Sequence, residues 1–141
     1  MFSNRLWIRV EASTYSQQTK DFYFFALRPL NKLNYWRWRV LGKTIAAGDL
    51  HLHLGCSRKY LAGFVNIDGN LFRRVDIWLD LRNGLPFPAG SVASIYSCHV
   101  FEHFYPEDLA GLLRECQRVL RPAAGMRVVV PDMGGQPPAG L

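Results

Sequence analysis

The sequence predicts an α/β protein built on a mostly parallel sheet. Three observations support this prediction: five short apolar runs are separated by turns, one amphipathic helix precedes the last run, and the composition is globular. The chain has 141 residues, of which 49% are hydrophobic and 20% charged. This length corresponds to one domain with a substantial buried core.

Five apolar runs between residues 50 and 130 predict the strands. Each run is short, and most are followed by a glycine, an asparagine or aspartate cluster, or a proline, as is usual for strands of a parallel sheet. The predicted strands cover residues 50–54, 64–67, 75–79, 93–97 and 126–130.

The segment between the fourth and fifth runs predicts one helix, from about residue 107 to residue 120. Pro106 suits the first helical turn, Glu107 and Asp108 favour the amino-terminal end, and Arg118 favours the carboxyl-terminal end. A helix between two strands is the usual crossover of a parallel sheet, so the last two strands are predicted to be parallel.

The segment before Gly48 differs in composition from the rest of the chain. Residues 1–45 carry eight basic and two acidic residues (8 − 2 = +6), whereas residues 46–141 carry nine of each. We therefore predict three regions: a basic aromatic N-terminal extension (1–47), a ligand-binding domain (48–133) and a disordered tail (134–141). Within the extension, helical spacing of Leu33, Trp36 and Val40 predicts a helix, and Pro29 is expected to break any longer one.

The basic and aromatic extension indicates two alternatives. It suits an anionic partner such as a phospholipid surface, a lipid-linked glycan or a nucleic acid. Alternatively, its aromatic side chains pack on the domain while its charges remain solvated. The apolar runs are shorter than the ~20 residues of a membrane span. Arg9 and Glu11 interrupt the apolar residues near the N-terminus, so no secretory signal is predicted. The three cysteines form no Cys-x-x-Cys pair, so a cytoplasmic protein is expected, with a peripheral location at a membrane as the alternative.

Two motifs mark the ends of the first two strands. The run Leu52-His-Leu-Gly-Cys-Ser57 is a strand entering a glycine turn, and a glycine there lets the backbone approach a ligand closely. The run Asn66-Ile-Asp68 ends the second strand with an acid, which can accept hydrogen bonds from two ribose hydroxyls. The alternative for Asp68 is an ordinary Asp-Gly turn.

Two further motifs follow the third and fourth strands. Asp80-Leu-Arg-Asn-Gly-Leu-Pro-Phe87 offers a carboxylate and backbone amides that can read the amine and ring nitrogen of an adenine. Ile95-Tyr-Ser-Cys-His-Val-Phe-Glu-His103 brings a His/Glu/His cluster to the end of a strand. In a parallel sheet, all four motifs lie at the same edge, where ligands bind.

Two other site types fit these residues less well. The run from His99 to His103 matches the His-x-x-Glu-His pattern of a class of zinc peptidases, but that chemistry needs two histidines on one helical face and a third ligand. A nicotinamide site would need Gly-x-Gly-x-x-Gly, whereas Ser57 and Tyr60 occupy the second and third glycine positions here. No metal site is therefore predicted.

The run from Leu52 to Asp132 resembles the type-11 group of class I S-adenosylmethionine-dependent methyltransferases. Members typically show a strand with Gly-Cys-Gly, then Val-Asn-Ile-Asp, Asp-Leu with Leu-Pro-Phe, His-Val-x-Glu-His, Arg-Val-Leu-Arg-Pro-Gly-Gly and Val-Pro-Asp. The resemblance implies a Rossmann-like sheet of order 3-2-1-4-5, with S-adenosylmethionine across the tips of strands 1, 2 and 4.

The resemblance also implies roles for nine residues. Gly55, Cys56 and Ser57 would face the methionine part of the cofactor, and Asp68 would hold the ribose. Asp80 and Leu81 would contact the adenine, and Ser97, Cys98 and His99 would lie beside the sulfonium. His99 is the candidate catalytic base if the acceptor must lose a proton.

This sequence departs from the family pattern at three places. Ser57 replaces the second glycine of the first turn. Ala123 and Ala124 replace the Gly-Gly pair before strand 5, at a cost of roughly 1 kcal/mol per site wherever φ must be positive. The family fold normally continues beyond strand 5, so a truncated or frame-shifted chain is expected, with the Val-rich edge of strand 5 open to self-association.

The sequence thus predicts an S-adenosylmethionine-dependent methyltransferase, or its cofactor-binding part. The methyl group would pass to an unidentified small-molecule, glycan or lipid-linked acceptor, and the basic extension favours an anionic one. The reaction would depend mainly on proximity and orientation. The alternative is a non-catalytic methyltransferase-like module that interacts through its basic aromatic N-terminus.

Overall fold

The computed structural model describes residues 17–45 and 48–131. A long helix, α1 (Gln17–Ile45), precedes a sheet, and α2 (Pro106–Val119) joins the last two strands. The strands are β1 (Leu50–Leu54), β2 (Val65–Asp68), β3 (Ile77–Trp78), β4 (Val92–Cys98) and β5 (Leu120–Val129). The predicted tail at 134–141, the first sixteen residues and Asp132 lie outside the described residues.

The five strands form one sheet of order β3-β2-β1-β4-β5. All four neighbouring pairs are parallel, which confirms the predicted Rossmann-like α/β fold and strand order. The carboxyl ends of the strands therefore lie at one edge, and the loops that follow β1, β2, β3 and β4 meet there.

The core lies on the side of the sheet that the two helices cover. Leu52, Leu54 and Ile95 are fully buried there, and Tyr35 and Trp38 of α1 pack against the same cluster. Because side chains alternate along a strand, His51 and His53 point to the opposite side. Those two rings are held by hydrogen bonds to Ser94 and Asn66, at 2.7 and 2.9 Å.

The prediction that Pro29 breaks the N-terminal helix is wrong, since α1 is continuous across it. An interior proline removes one helical hydrogen bond and costs about 3 kcal/mol. Pro29 is exposed, so the carbonyl that loses its partner can bond to water. Contacts on both sides of the proline hold the two halves in line, because Tyr23 bonds to Gly69 and Asn34 to the Trp78 carbonyl.

Two strands, β3 and β5, have boundaries that differ from the prediction by more than one residue. β3 is limited to Ile77–Trp78, and β5 begins at Leu120 rather than at residue 126. Leu120 pairs with Val92, but Gly125 pairs with Ser94, so β5 bulges between these two positions. Sequence periodicity could not locate this early start, because the bulge contains a proline and two alanines instead of alternating apolar residues.

The bulge in β5 contains Ala123 with a φ of 63°, in the left-handed region that costs a non-glycine residue about 1–2 kcal/mol. We expect Ala123→Gly to raise the free energy of unfolding by about 0.5–1 kcal/mol after its own entropic cost. The neighbouring variant Ala124→Gly is the control, because Ala124 does not have a positive φ, and it should lower stability. Urea unfolding measures the free energy of unfolding of both variants. Equal changes in the two variants would contradict the inference that the backbone of Ala123 is strained.

Candidate functional site

A cleft of about 460 Å³ opens at the carboxyl edge of the sheet. This volume lies within the range of about 300–1,000 Å³ of small-molecule sites. Six of the nine sequence-predicted residues line the cleft: Gly55, Ser57, Asp68, Asp80, Leu81 and His99. The other described lining residues come from α1, from the loops after β2, β3 and β4, and from the first turn of α2: Thr19, Lys20, Asp21, Tyr23, Phe24, Gly69, Asn70, Phe72, Arg82, Val100, His103, Phe104, Tyr105 and Asp108.

The turn after β1 is pressed against the residue that follows His99. Gly55 has a φ of 65°, and its amide donates a hydrogen bond to the Ile67 carbonyl at 2.7 Å. A Cβ atom at this position would lie 2.2 Å from Cγ2 of Val100. Position 55 therefore requires glycine for two reasons: its φ is positive, and Val100 leaves no room for a Cβ atom.

The carboxylate of Asp68 is fixed at the end of β2 by two backbone amides. The Ser57 amide donates to Oδ2 and the Asn70 amide donates to Oδ1, each at 2.8 Å. Ser57 reaches this position with a φ of 46°, so the turn keeps a left-handed conformation without glycine. Each oxygen of a carboxylate has two acceptor sites, so Asp68 can accept further hydrogen bonds from a ligand.

The second acid of the cleft, Asp80, is already paired. Its Oδ1 accepts from the Arg82 amide and Nε at 3.0 Å, and its Oδ2 accepts from Arg82 Nη2 at 2.8 Å. This hydrogen bonding raises the pKa of the Arg82 guanidinium. The guanidinium carbon also lies 4.7 Å from the ring centroid of Phe24 on α1, a cation–π contact. The sequence motif identified Asp80 but missed Arg82 and Phe24.

Helix α1 forms one wall of the cleft. The Tyr23 hydroxyl donates to the Gly69 carbonyl at 3.1 Å and accepts from the Leu71 amide at 3.0 Å. Phe24 packs so closely that a Cβ on Gly69 would lie 2.7 Å from its Cε1. The buried side chain of Asn31 accepts from the Asp80 amide at 2.7 Å. Helix α1 therefore orders the loops after β2 and β3. No local sequence pattern predicts these contacts, because the partners are far apart in the chain.

His99 follows β4 in a strained conformation. Its φ is 56°, and its amide donates to the Val129 carbonyl at 2.8 Å. Non-glycine residues with positive φ concentrate at functional sites because the surrounding structure must hold them in place. Its Nδ1 lies 3.5 Å from Oε1 of Glu102, and the half-exposed imidazole lines the cleft.

Three predicted site residues do not line the cleft. Cys56 is buried, and burial together with the charge of Asp68 raises the pKa of its thiol to about 11, so it stays protonated at neutral pH. The Ser97 hydroxyl is buried without a hydrogen-bond partner among residues 17–45 and 48–131. Cys98 is partly buried at the end of β4. Roles for these three side chains remain predictions.

Two charged side chains of α2 hold the loop after β3. Arg118 donates to the carbonyls of Leu85 and Phe87 at 2.8 and 2.9 Å, and Glu115 accepts from the Leu85 amide at 2.9 Å. Hydrogen bonding from Arg118 holds the pKa of Glu115 below its usual value. Glu115 thus stays ionised and holds the Leu-Pro-Phe turn on the helix.

The arrangement of the two histidines differs from that of a zinc peptidase. His99 precedes a short 3-10 helix that contains His103 (Phe101–His103), so the two residues do not occupy successive turns of one α-helix. In the part of the chain that the structure describes, no group of three or more His, Cys, Asp or Glu side chains is arranged to hold a metal ion.

Comparison with known proteins identifies the family of this domain. Residues 59–126 match the family model described as a methyltransferase domain. Residues 59–126 therefore carry a methyltransferase domain. The matched segment of the methyltransferase domain contains Asp68, Asp80 and His99, whereas the Gly55 turn and α1 precede it. No curated protein and no solved structure matches the chain.

Within the described residues, neither helix is both long and apolar enough to cross a bilayer.

Proposed function

We propose that the cleft binds S-adenosylmethionine and that the protein transfers its methyl group to an acceptor. The observation that carries this proposal is the carboxylate of Asp68, which two backbone amides orient at the end of β2 in a cleft of suitable volume. A carboxylate at this point of such a sheet typically binds ribose hydroxyls.

The charge of the cleft also suits this cofactor. Among the residues that the structure describes, the lining contains four acidic side chains and two basic side chains other than histidine, namely Asp21, Asp68, Asp80 and Asp108 against Lys20 and Arg82 (2 − 4 = −2). S-adenosylmethionine carries a sulfonium, an ammonium and one carboxylate, so it is a net cation. A negative lining favours it over an anionic dinucleotide.

Other residues of the cleft would each contact a different part of the cofactor. Gly55 and Ser57 would contact the methionine part through their backbone. Asp80 and Leu81 would contact the adenine, with Arg82 stacked on Phe24 beside it. This assignment follows the family pattern for the first four residues and the cleft geometry for the last two.

The chemistry needs little from the protein beyond placement. When bound, the cofactor supplies an electrophilic methyl group that an acceptor nucleophile attacks in line. The imidazole of His99 would take the proton that the acceptor loses, and Glu102, 3.5 Å from its Nδ1, would stabilise the imidazolium that forms. The neutral thiol of Cys56 would take no part in proton transfer.

The acceptor is proposed as a small molecule, a glycan or a lipid-linked molecule. The mouth of the cleft favours one with an apolar part, because Phe72 and Tyr105 both line it and are 86% and 55% exposed. The negative lining does not favour an anionic acceptor group inside the cleft itself.

Isothermal titration calorimetry with S-adenosylhomocysteine tests the proposal. We expect binding with a Kd in the micromolar range, and no binding of the nicotinamide dinucleotide NAD⁺ under the same conditions. Circular dichroism establishes that the protein is folded. Folded protein that fails to bind S-adenosylhomocysteine, or that binds NAD⁺ more tightly, would overturn the proposal.

A further inference from the structure

The side of α1 that faces away from the domain carries a continuous apolar surface. Phe22, Phe25, Leu33, Trp36 and Val40 are each between 65% and 72% exposed. Their spacing of three, eight, three and four residues places them on one helical face, and Pro29 continues this face between Phe25 and Leu33. We call these five exposed residues the outer stripe.

The outer stripe is distinct from the surface by which α1 packs on the domain. Tyr23, Asn31 and Asn34 make the hydrogen bonds to the loops after β2 and β3, and they lie on the opposite side of the helix. The stripe therefore remains exposed after α1 has docked. Exposing several large apolar side chains in one row is costly for a soluble surface and marks an interaction site.

Basic residues flank the outer stripe. Arg28 and Lys32 are exposed along one side of it and Arg37 along the other, as the helical rotation of 100° per residue requires. The whole of α1 contains six basic residues and one acidic residue, Asp21 (6 − 1 = +5). The helix thus combines an apolar centre with cationic margins.

We infer that the outer stripe docks on an anionic phospholipid surface. A helix with aromatic and aliphatic residues at its centre and bases at its margins lies in the plane of a bilayer, with its apolar side at the boundary between headgroups and acyl chains. The bases then meet the phosphates of anionic lipids. At 1.5 Å per residue the 29 residues of α1 make a rod of about 44 Å that can lie along the surface.

Charge distinguishes this partner from two others. A second copy of the chain, packed stripe to stripe, would bring two helices of charge +5 together, and like charges across an interface cost affinity. A nucleic acid binds through its phosphates, which would need basic side chains at the centre of the surface. Here the centre is apolar, and the basic side chains lie at the margins.

Docking would also place the cleft next to the membrane. Tyr23 and Phe24 line the cleft, and Phe22 and Phe25 on the adjoining positions belong to the outer stripe. The bilayer would therefore lie within one helix diameter, about 10–12 Å, of the cleft wall. This consequence, which rests on the proposed function, favours an acceptor carried by the membrane; the docking itself does not depend on methyl transfer.

Vesicle flotation of the full chain tests the docking. We expect binding to vesicles of 70% phosphatidylcholine and 30% phosphatidylglycerol, little binding to pure phosphatidylcholine, and weaker binding in high salt. The double variant Phe25→Gln/Trp36→Gln should lower the affinity for the anionic vesicles by roughly 10–100-fold. Leu113→Gln is the control, because Leu113 is an exposed apolar residue on α2, and it should bind like the wild type.

Two further measurements decide the outcome. S-adenosylhomocysteine calorimetry on the same variants, without vesicles, should show unchanged affinity, so loss of the proposed cofactor site would appear separately from loss of docking. Sedimentation velocity of the wild type should show a monomer. The inference is overturned by equal binding to charged and neutral vesicles, by unaltered binding of the double variant, by a dimer that the double variant abolishes, or by tighter binding to single-stranded RNA.

Discussion

Asp68→Asn is expected to lower the affinity for S-adenosylhomocysteine by roughly 30–100-fold. Hydrogen bonds from ligand hydroxyls to a charged acceptor are worth about 1.5–3 kcal/mol each, and an amide keeps only one acceptor oxygen. The Ser57 and Asn70 amides both need an acceptor at this side chain. The NH₂ group of the asparagine would therefore face one of these two amides, donor against donor. The lost hydrogen bond should also lower the free energy of unfolding by about 1–2 kcal/mol.

Asp76→Asn is the matched control for this loss of affinity. The Asp76 carboxylate also accepts two close hydrogen bonds, from the Asn66 amide at 2.8 Å and the Tyr60 hydroxyl at 2.7 Å. Burial acts to raise the pKa of Asp76, but these hydrogen bonds outweigh it and hold the pKa below its usual value. Because Asp76 does not line the cleft, its variant should lose similar stability and keep full affinity.

Calorimetry and urea unfolding of the two variants separate ligand binding from folding. A binding role for Asp68 requires that the affinities diverge while the stabilities fall together. If Asp68→Asn bound S-adenosylhomocysteine as tightly as Asp76→Asn, Asp68 would be a turn residue and the ribose assignment would be wrong.

Gly55→Ala is expected to lower the free energy of unfolding by about 3 kcal/mol or more and to abolish measurable cofactor binding. The left-handed conformation alone costs an alanine about 1–2 kcal/mol, and forcing an extra methyl into a packed site costs about 1–3 kcal/mol more. The new Cβ would lie 2.2 Å from Cγ2 of Val100. A β-branched side chain has little rotamer freedom to move aside, so the turn itself must shift.

Gly63→Ala isolates the conformational cost. Gly63 has a φ of +81°, but a Cβ there meets no atom within 4 Å. This variant should lose only about 1–2 kcal/mol and bind S-adenosylhomocysteine normally. The excess cost at Gly55 then measures the steric clash.

The double variant Gly55→Ala/Val100→Ala checks the cause. Removing the two methyl groups of Val100 makes room for the new Cβ, so part of the lost stability should return even though the φ remains positive. Two results would contradict the steric role of Val100. One is an equal loss of unfolding free energy in Gly55→Ala and Gly63→Ala, and the other is no recovery of unfolding free energy in the double variant.

The candidate cleft could be predicted only in part, for a physical reason. Gly55, Asp68 and Asp80 each stand at the end of a strand, and parallel strands bring their ends together. The partners that complete the cleft come from far along the chain. Phe24 stacks on Arg82, 58 positions away (82 − 24), and Asn31 accepts from the amide of Asp80, 49 positions away. No sequence periodicity relates residues so far apart.

The sequence by itself determined the α/β class, the number and order of the strands, the crossover helix and the chemical character of the loop acids. Alternation and helical spacing encode these locally, and the family pattern orders them. Only the tertiary structure decided that α1 continues through Pro29, that it forms one wall of the cleft, and that its outer stripe remains exposed. Those features depend on which side chains the folded domain contacts, and the energy of such contacts outweighs the local preference of a proline or an aromatic residue.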